Sequence, residues 1–158
     1  NIPFLKGYAG EYMLDNSLIE KNNHEILLTL PKNYLLTELN LFNNPLNLYE
    51  MLFELKSKNY NIIIAHPERY LYFHNSINKY TKLKKYGVSF QLNLLSLTGY
   101  YGKNVKKVAI ELFENDLYDF TGSDIHSENE INQFKKVPIL ITDKNKMEKL
   151  LHHNNIFV

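Results

Sequence analysis

The sequence contains carboxylates and histidines of the types that bind divalent metal ions. They are Glu11, Glu38, His66, Asp124 and His126. Three carboxylates and two imidazoles suit a borderline-hard divalent cation such as Mn, Fe or Zn. Carboxylates can also bridge two metals about 3.5–4 Å apart, which is the geometry that supports hydrolysis of phosphate esters. The chemistry that these residue types favour is therefore metal-assisted.

An arginine lies close to this set in the sequence. Arg69 follows His66 by three residues in the stretch NIIIAHPERY, where a run of β-branched residues ends at a histidine and a proline. The planar guanidinium can hold two oxygens of a phosphate group, so Arg69 is a candidate for substrate binding and catalysis. We expect the intervening Glu68 to point away from the site, toward a salt bridge.

Each of these residues also has an ordinary structural interpretation. A single histidine at a strand end is more often hydrogen-bonded within the fold than bound to a metal, and an isolated glutamate is more often solvated. Asp124 could cap a helix, and Arg69 could form a surface salt bridge of little energetic value. The joint, periodic placement of the set favours the metal-site interpretation over these alternatives.

The spacing of polar residues near the expected strand ends predicts how the chain folds. Glu11, Glu38, His66, Asn93 and Asp124 are separated by 27, 28, 27 and 31 residues, the length of a strand, a helix and two loops. The repeat predicts βα units and a parallel sheet. A closed βα barrel is favoured because the ends of all its strands meet on one face. In the alternative, an open doubly wound sheet, only strands beside the switch point would meet.

The pattern of apolar residues predicts where the elements lie. Short runs rich in β-branched and aromatic residues predict strands at residues 6–13, 34–39, 61–66, 88–93 and 118–126. Helical spacing predicts helices at residues 45–58, 77–86, 104–115 and 143–153. A complete barrel takes about 250 residues, so either the sheet is open or opening units are missing from these 158 residues.

Composition narrows the class of protein. Charge is nearly balanced, with 18 Lys and Arg against 17 Asp and Glu, which argues against a general nucleic-acid binder. The chain has no cysteine, so disulfides, thiolate metal sites and a cysteine nucleophile are excluded. No segment approaches the roughly 20 apolar residues of a membrane span, and we expect the protein to be cytoplasmic.

Five motifs occur in order between residues 7 and 126: GEYMLD, LLTEL, AHPERY, QLNLLSLTGYYG and GSDIH. Together they resemble the PHP-class (polymerase and histidinol phosphatase) tyrosine phosphatases of bacterial capsule and exopolysaccharide loci. Any one of these motifs is weak on its own, whereas five in family order are specific. The resemblance implies a distorted βα barrel with a metal-rich site.

The resemblance also implies roles for particular residues. It implies two or three Mn ions in the complete enzyme, with Fe or Zn as alternatives. Arg69 would hold the substrate phosphate, and Asn93 and Ser96 would bind substrate. The metal ligands that the resemblance implies are Glu11, Glu38, His66, Asp124 and His126.

Two features of the family are absent from the sequence. The family opens with an H-x-H motif, an Asp-Asp-Gly segment and a T-P-H-type histidine, and none occurs here. Its Gram-positive members carry an arginine soon after the D-x-H motif, where this chain reads SENEINQF. We therefore expect residues 1–158 to be a single domain, the C-terminal part of a PHP-type barrel that is incomplete because the opening βα units are missing.

The function that the resemblance implies is a metal-dependent phosphotyrosine-protein phosphatase in exopolysaccharide or capsule regulation, hydrolysing the phosphomonoester with metal-activated hydroxide. Its implied partner is a phosphotyrosine protein such as a polysaccharide-chain-length tyrosine kinase. Alone, these residues are expected to be weakly active or inactive. One alternative is a non-catalytic PHP-like remnant that binds a partner protein, which the absent opening motifs favour and the intact later ligands oppose. Another is a PHP phosphoesterase that acts on a small molecule.

Overall fold

The computed structural model describes residues 7–139 and 141–157. They form a five-stranded sheet whose strands are Glu11–Met13 (β1), Tyr34–Glu38 (β2), Asn61–Ala65 (β3), Ser89–Asn93 (β4) and Phe120–Gly122 (β5). The spatial order is β1-β2-β3-β4-β5, and each neighbouring pair is parallel. The order follows the chain, so these strands contain no doubly wound switch point, and the predicted parallel βα sheet is confirmed.

Helices connect or follow the strands. They are Asn16–His24 (α1), Leu48–Ser57 (α2), Ile77–Lys85 (α3), Lys103–Glu114 (α4), Glu128–Lys136 (α5) and Lys144–His153 (α6). Short 3₁₀ turns follow β3 at Pro67–Arg69 and β4 at Leu94–Thr98. Right-handed crossovers that all advance in the same direction carry the connecting helices over one face of the sheet. Within the described residues, no helix is long and apolar enough to cross a membrane.

The apolar core lies between the sheet and the helices. Alternate strand residues such as Leu35, Ile64 and Phe90 pack into one cluster with helix residues such as Leu52 and Leu112, and all five are fully buried. Burying a side chain of this size stabilises the fold by about 1.5–3 kcal/mol relative to leaving it exposed. The intervening strand residues face the other side of the sheet. That side carries apolar residues such as Ile63 and Phe120 as well as polar ones.

The side of the sheet away from this core is concave. The rings of Tyr34 in β2 and Phe120 in β5 lie 5.6 Å apart, edge to face. In a flat sheet these two strands would be about 14 Å apart, since adjacent strands are spaced by about 4.8 Å. The sheet is therefore strongly curved. Phe157 packs against both rings, at 5.3 Å from Tyr34 and 4.8 Å from Phe120, so the C-terminal turn closes the amino-terminal end of the concave side.

The side chain of Asn154 bonds to main-chain groups of β5, which lies at an edge of the sheet. The amide of Asn154 accepts a hydrogen bond from the Thr121 N–H at 3.1 Å and donates to the Thr121 carbonyl at 2.9 Å and hydroxyl at 3.0 Å. These bonds satisfy groups that a further strand would otherwise bond. An unpaired strand edge is a site for unwanted association, so this contact also protects the sheet.

The predicted elements differ from the observed ones in four respects. The first strand, predicted at residues 6–13, is observed only at Glu11–Met13. Helices α1 and α5 were not predicted at all. The strand predicted at residues 118–126 ends at Gly122, and Asp124 has a left-handed backbone with φ of 49°. The helix predicted from Pro45 begins three residues later, at Leu48. All five predicted strands and the other four helices occur, and β2, β3 and β4 lie within a residue of their predicted bounds.

Candidate metal centre

A polar cavity of about 270 Å³ opens on the concave side. Its lining residues are Glu11, Glu38, His66, Arg69, Tyr101, Asp124, His126 and Glu130. The structure thus brings to one place all five side chains that were predicted as metal ligands, together with the predicted phosphate-binding arginine. Tyr101 and Glu130 are additions that were not assigned to the site from the sequence.

Three of these side chains form a compact donor set. One ligand atom each from Glu11, Glu38 and His66 lies within 4.8 Å of the others. The Nε2 atom of His66 is 3.6 Å from a carboxylate oxygen of Glu11 and 3.6 Å from one of Glu38. Two oxygens and an imidazole nitrogen are ligands that Mn, Fe and Zn accept. The chemistry of the donor set therefore fits a divalent metal.

The sheet explains why the two glutamates converge. Glu38 is the last residue of β2, as the repeat predicts. Glu11 was also predicted near the end of a strand, but it is the first residue of β1. The register pairs Glu11 with Leu36, two residues before Glu38. Side chains two residues apart on a strand point to the same side. Both glutamates therefore face the concave side, although Glu11 starts at a lower level of the sheet.

His66 follows β3 directly and has a left-handed backbone, with φ 36° and ψ 52°. A non-glycine residue in this region costs about 1–3 kcal/mol, and such residues are concentrated at functional sites. The surrounding main chain holds the conformation. The His66 N–H donates to the Gln91 carbonyl at 2.9 Å. The Tyr70 hydroxyl donates to the Ala65 carbonyl at 2.7 Å and accepts from the Leu39 N–H at 2.9 Å.

Arg69 is bound to Asp124 within the cavity. Its Nη1 donates to Oδ2 of Asp124 at 2.7 Å, and the guanidinium lies 4.2 Å from the centre of the Tyr101 ring. The Asn93 side-chain amide donates to the same Asp124 oxygen at 3.0 Å. The Asp124 carboxylate is therefore outside the compact donor set, and its role as a metal ligand stays a prediction.

His126 lies at the solvent-exposed rim of the cavity. Its Nδ1 is 3.0 Å from the main-chain oxygen of Asp124 and 3.3 Å from a carboxylate oxygen of the same residue. The main-chain bond and the carboxylate charge both raise the pKa of His126 above its ordinary value. The two residues were expected to share one side of an extended segment, which is wrong because Asp124 is left-handed. Ligation by His126 stays a prediction.

The cavity gathers more negative than positive charge. Burial raises the pKa of Glu38, the charges of Glu11 and Asp124 raise it further, and His66 and Arg69 act in the opposite direction. Like charges that share a site disfavour one another's ionised form, and a nearby cation reverses this. A divalent ion at the donor set would therefore keep the glutamates ionised, which is a second respect in which these residues fit a metal.

Two predicted substrate-binding residues lie beneath the cavity and do not line it. Ser96 is fully buried and Asn93 is 2 % exposed. The Asn93 side chain is used inside the protein, since its oxygen accepts from the Leu95 N–H at 2.9 Å and its nitrogen donates to Asp124. A role for these residues in binding substrate directly stays a prediction. Asn93 holds Asp124 in place, and Ser96 packs inside the fold.

Glu68 is the largest departure from expectation. It is fully buried, and among the described residues it forms no salt bridge. Its carboxylate accepts from the Asn93 N–H at 3.1 Å and from the Tyr118 hydroxyl at 2.9 Å. Burial raises the pKa of Glu68. No pattern in the sequence marks this burial, because Glu68 stands between a proline and an arginine in a short turn.

Glu130 could have been found from the sequence. Its carboxylate accepts from the His126 N–H at 2.6 Å and the Ser127 N–H at 2.8 Å, while the Ser127 hydroxyl accepts from the Glu130 N–H. This is a capping box at the start of α5, and Ser-x-x-Glu is its sequence signal. The cap ties the exposed segment that carries His126 to the start of a helix.

Fold and site together define a parallel α/β protein in which one cavity combines an arginine with a carboxylate–histidine set that could hold a metal. A family described as capsular polysaccharide synthesis, CpsB/CapC, matches residues 4–156. The chain therefore belongs to the CpsB/CapC family. A Staphylococcus aureus protein, CapC, named as a candidate tyrosine-protein phosphatase, is 31% identical over 122 residues. Tyrosine-protein phosphatase YwqE of Bacillus subtilis is 28% identical over 111 residues.

The matches differ in how much of each protein they cover. The alignments take in 76% and 70% of this chain but 48% and 44% of the two relatives, so the chain spans about half their length. A solved structure from work on YwqE and on CpsB of Streptococcus pneumoniae, described as metal-dependent tyrosine phosphatases, has a TM-score of 0.71 and 24% identity. The superposition covers 92% of this chain and 64% of the chain in the solved structure. This likeness supports the fold.

Proposed function

We propose that the full-length protein containing this chain is a metal-dependent phosphotyrosine-protein phosphatase that acts in capsule or exopolysaccharide regulation. The observation that carries the proposal is one cavity that combines the donor set of Glu11, Glu38 and His66 with Arg69. Membership of a capsular polysaccharide synthesis family supports the biological setting. The names of two relatives support the reaction.

Glu11, Glu38 and His66 would hold a divalent metal, which we propose to be Mn. Asp124 and His126 would add ligands once Arg69 releases the Asp124 carboxylate. A bound metal of this kind supplies Lewis acidity, lowering the pKa of coordinated water toward neutrality and offsetting charge on the phosphoryl group. Because the chain has no cysteine, its residues offer no thiolate nucleophile.

Arg69 would bind the phosphate of the substrate. Its guanidinium can pair with two phosphate oxygens in the same planar geometry that it uses for a carboxylate. In the structure one nitrogen of that group is 2.7 Å from Asp124, so an incoming phosphate would compete with this carboxylate for the arginine. The Tyr101 ring, 4.2 Å away, keeps the guanidinium over the cavity during the exchange.

The proposed substrate is a phosphotyrosine on a protein, for example on a polysaccharide-chain-length tyrosine kinase. We also propose that the curved sheet is part of a distorted βα barrel whose opening units lie outside these residues. The sequential order of five parallel strands and the contact between β2 and β5 support a barrel. In such a fold the carboxyl ends of the strands form the active face.

The test is hydrolysis of a phosphotyrosine peptide by the full-length protein after metal removal and again after addition of Mn. We expect activity to return with metal, and we expect Glu38→Gln to abolish both metal binding and turnover. Glu25→Gln is the matched control, because Glu25 is 63% exposed and pairs only loosely with Lys21 at 3.5 Å. Full activity without metal, or in Glu38→Gln, would contradict the proposal.

A further inference from the structure

The fully buried carboxylate of Glu68 has no part in the chemistry proposed above. It stands between His66 and Arg69 in the 3₁₀ turn that carries both residues to the cavity. One carboxylate oxygen accepts from the Asn93 N–H, and the other accepts from the Tyr118 hydroxyl. Its main-chain oxygen lies 2.8 Å from Nε2 of His74. Glu68 is therefore fixed from three directions.

The partners of Glu68 connect the turn to the other side of the cavity. The main-chain nitrogen of Asn93 donates to Glu68, and the side chain of the same residue donates to Asp124. Arg69 meets Asp124 from the turn. A closed set of contacts thus runs from Glu68 through Asn93 to Asp124 and back through Arg69. A shift of the turn would change where the guanidinium stands over the cavity.

An apolar residue could fill the same space but could not hold this arrangement. Removing the carboxylate would leave the buried Asn93 N–H without its acceptor and the Tyr118 hydroxyl without a partner. Unsatisfied buried groups of this kind are costly, and hydrogen bonds to a charged group are among the stronger ones. The bonds are directional, so they specify the orientation of the turn as well as its stability.

We propose that Glu68 is a positioning residue of the phosphate-binding site. Its carboxylate, held by Asn93 and Tyr118, fixes the turn so that Arg69 can meet a phosphate beside His66. This inference rests on the proposed function for its kinetic consequences. The fixing of the turn itself is a property of the fold and can be measured without any turnover.

The experiment compares two buried tyrosines in the full-length protein. Tyr118→Phe removes the hydroxyl that bonds Glu68. Tyr80→Phe is the matched control, because its buried hydroxyl has no hydrogen-bond partner among the described residues. We expect Tyr118→Phe to raise the KM for a phosphotyrosine peptide and the Ki of inorganic phosphate by about 10-fold, with bound metal unchanged. We expect Tyr80→Phe to leave both constants within about twofold.

A second pair of variants separates positioning from packing. Glu68→Gln keeps an acceptor for the Asn93 N–H and a donor for the Tyr118 oxygen, so we expect phosphate to bind nearly as in the wild type. Glu68→Leu keeps the volume alone, and we expect the same loss as in Tyr118→Phe or a greater one. Equal phosphate binding in the Gln and Leu variants would overturn the proposal, because packing would then be sufficient.

Hydrogen exchange supplies the readout that needs no activity. We expect the Asn93 amide to exchange at least several-fold faster in Tyr118→Phe than in Tyr80→Phe, because its acceptor is then less firmly held. Unchanged exchange together with an unchanged Ki would overturn the positioning role. If no variant and no wild-type protein hydrolyses phosphotyrosine, the proposed function fails, and faster exchange in Tyr118→Phe still establishes that Glu68 fixes the turn.

Discussion

Arg69 and His66 are three residues apart and are proposed to act on different partners. Arg69 already binds a carboxylate at 2.7 Å, and the same planar group can bind a phosphate. His66 offers Nε2 to the two glutamates, and an imidazole nitrogen is itself a metal ligand. Substitution of each residue should therefore change a different measured quantity.

Arg69→Ala in the full-length protein should weaken phosphate binding and leave the metal content unchanged. Loss of an arginine that acts on both substrate and transition state costs about 2–4 kcal/mol in kcat/KM. His66→Ala should instead reduce bound metal. The measurements are metal stoichiometry by elemental analysis and steady-state kinetics on a phosphotyrosine peptide. The assignment is wrong if Arg69→Ala loses its metal, or if His66→Ala keeps the wild-type metal stoichiometry and turnover. Either result would show that the stretch NIIIAHPERY is structural.

For the site residues, the sequence indicated which polar side chains lie close together but not which contacts each of them makes. The regular spacing was enough to bring Glu11, Glu38, His66 and Asp124 to one cavity. It could not show that Asp124 has a left-handed backbone, because aspartate adopts this conformation more often than most residues but still at only a minority of its positions. It also could not show that Glu68 is buried, since burial of a carboxylate depends on partners from distant parts of the chain.

The helices that the sequence did not reveal have little apolar character. In α5 no residue is buried, and in α1 only Leu18 is buried. Each helix therefore offers too few apolar residues for a clear periodic pattern. The remaining signals are caps: Asp15 for α1, and Ser127 with Glu130 for α5. In contrast, α4 buries five residues along one side, and its predicted bounds differ from the observed ones by a single residue at each end.

The contact between Asn154 and the edge of β5 can be tested by mutation. Asn154→Ala should lower the free energy of unfolding by about 1–3 kcal/mol, because the buried N–H and C=O of Thr121 lose their partner. Urea unfolding followed by circular dichroism measures the change. Asn155→Ala is the control, since Asn155 is the exposed neighbour in the same turn. Equal stability of the two variants would show that the Asn154 contact contributes nothing.

For the whole molecule, the repeat of about 27 to 31 residues predicted βα units and a parallel sheet. The curvature of the sheet could not be predicted from the sequence, because it depends on contacts such as that of Tyr34 with Phe120 across two intervening strands. The alternation of strand side chains determines what each side of the sheet carries. One side of the sheet buries the core, and the other presents the glutamates.

Buried tyrosines predict how stability changes in alkali. Burial raises the pKa of Tyr70, Tyr72, Tyr80 and Tyr118 above the ordinary value of 10.0. The folded protein then keeps protons that the unfolded chain loses. Stability is fully present below about pH 10 and falls as pH rises above it, by up to about 1.4 kcal/mol per pH unit for each such tyrosine.

Tyr80→Phe should make this fall less steep by about one tyrosine's share. Its hydroxyl has no hydrogen-bond partner among the described residues, so the substitution should change stability little at neutral pH. Urea unfolding at several values between about pH 9 and pH 11.5 measures the slope. An identical slope in the variant and the wild type would show that the Tyr80 phenol ionises as readily in the folded protein as in the unfolded chain.

The 158-residue chain by itself should be a poor phosphatase even with added Mn. Among the described residues the compact donor set has three members, whereas such ions take four to six ligands. The histidines of the family's opening motifs are absent from these residues, so we expect the coordination to stay incomplete and the metal to bind weakly. Aryl-phosphate hydrolysis by the purified chain, with and without metal and beside the full-length protein, measures this. Robust metal-dependent turnover by the chain alone would refute the prediction.

The central claim is that Glu11, Glu38 and His66 hold a catalytic metal. Anomalous diffraction from crystals of the full-length protein grown with Mn tests it most directly. We predict a Mn peak within bonding distance of a carboxylate oxygen from each glutamate and of Nε2 of His66. Crystals of protein that Mn activates, showing no peak at these three residues or a peak only elsewhere, would contradict the claim.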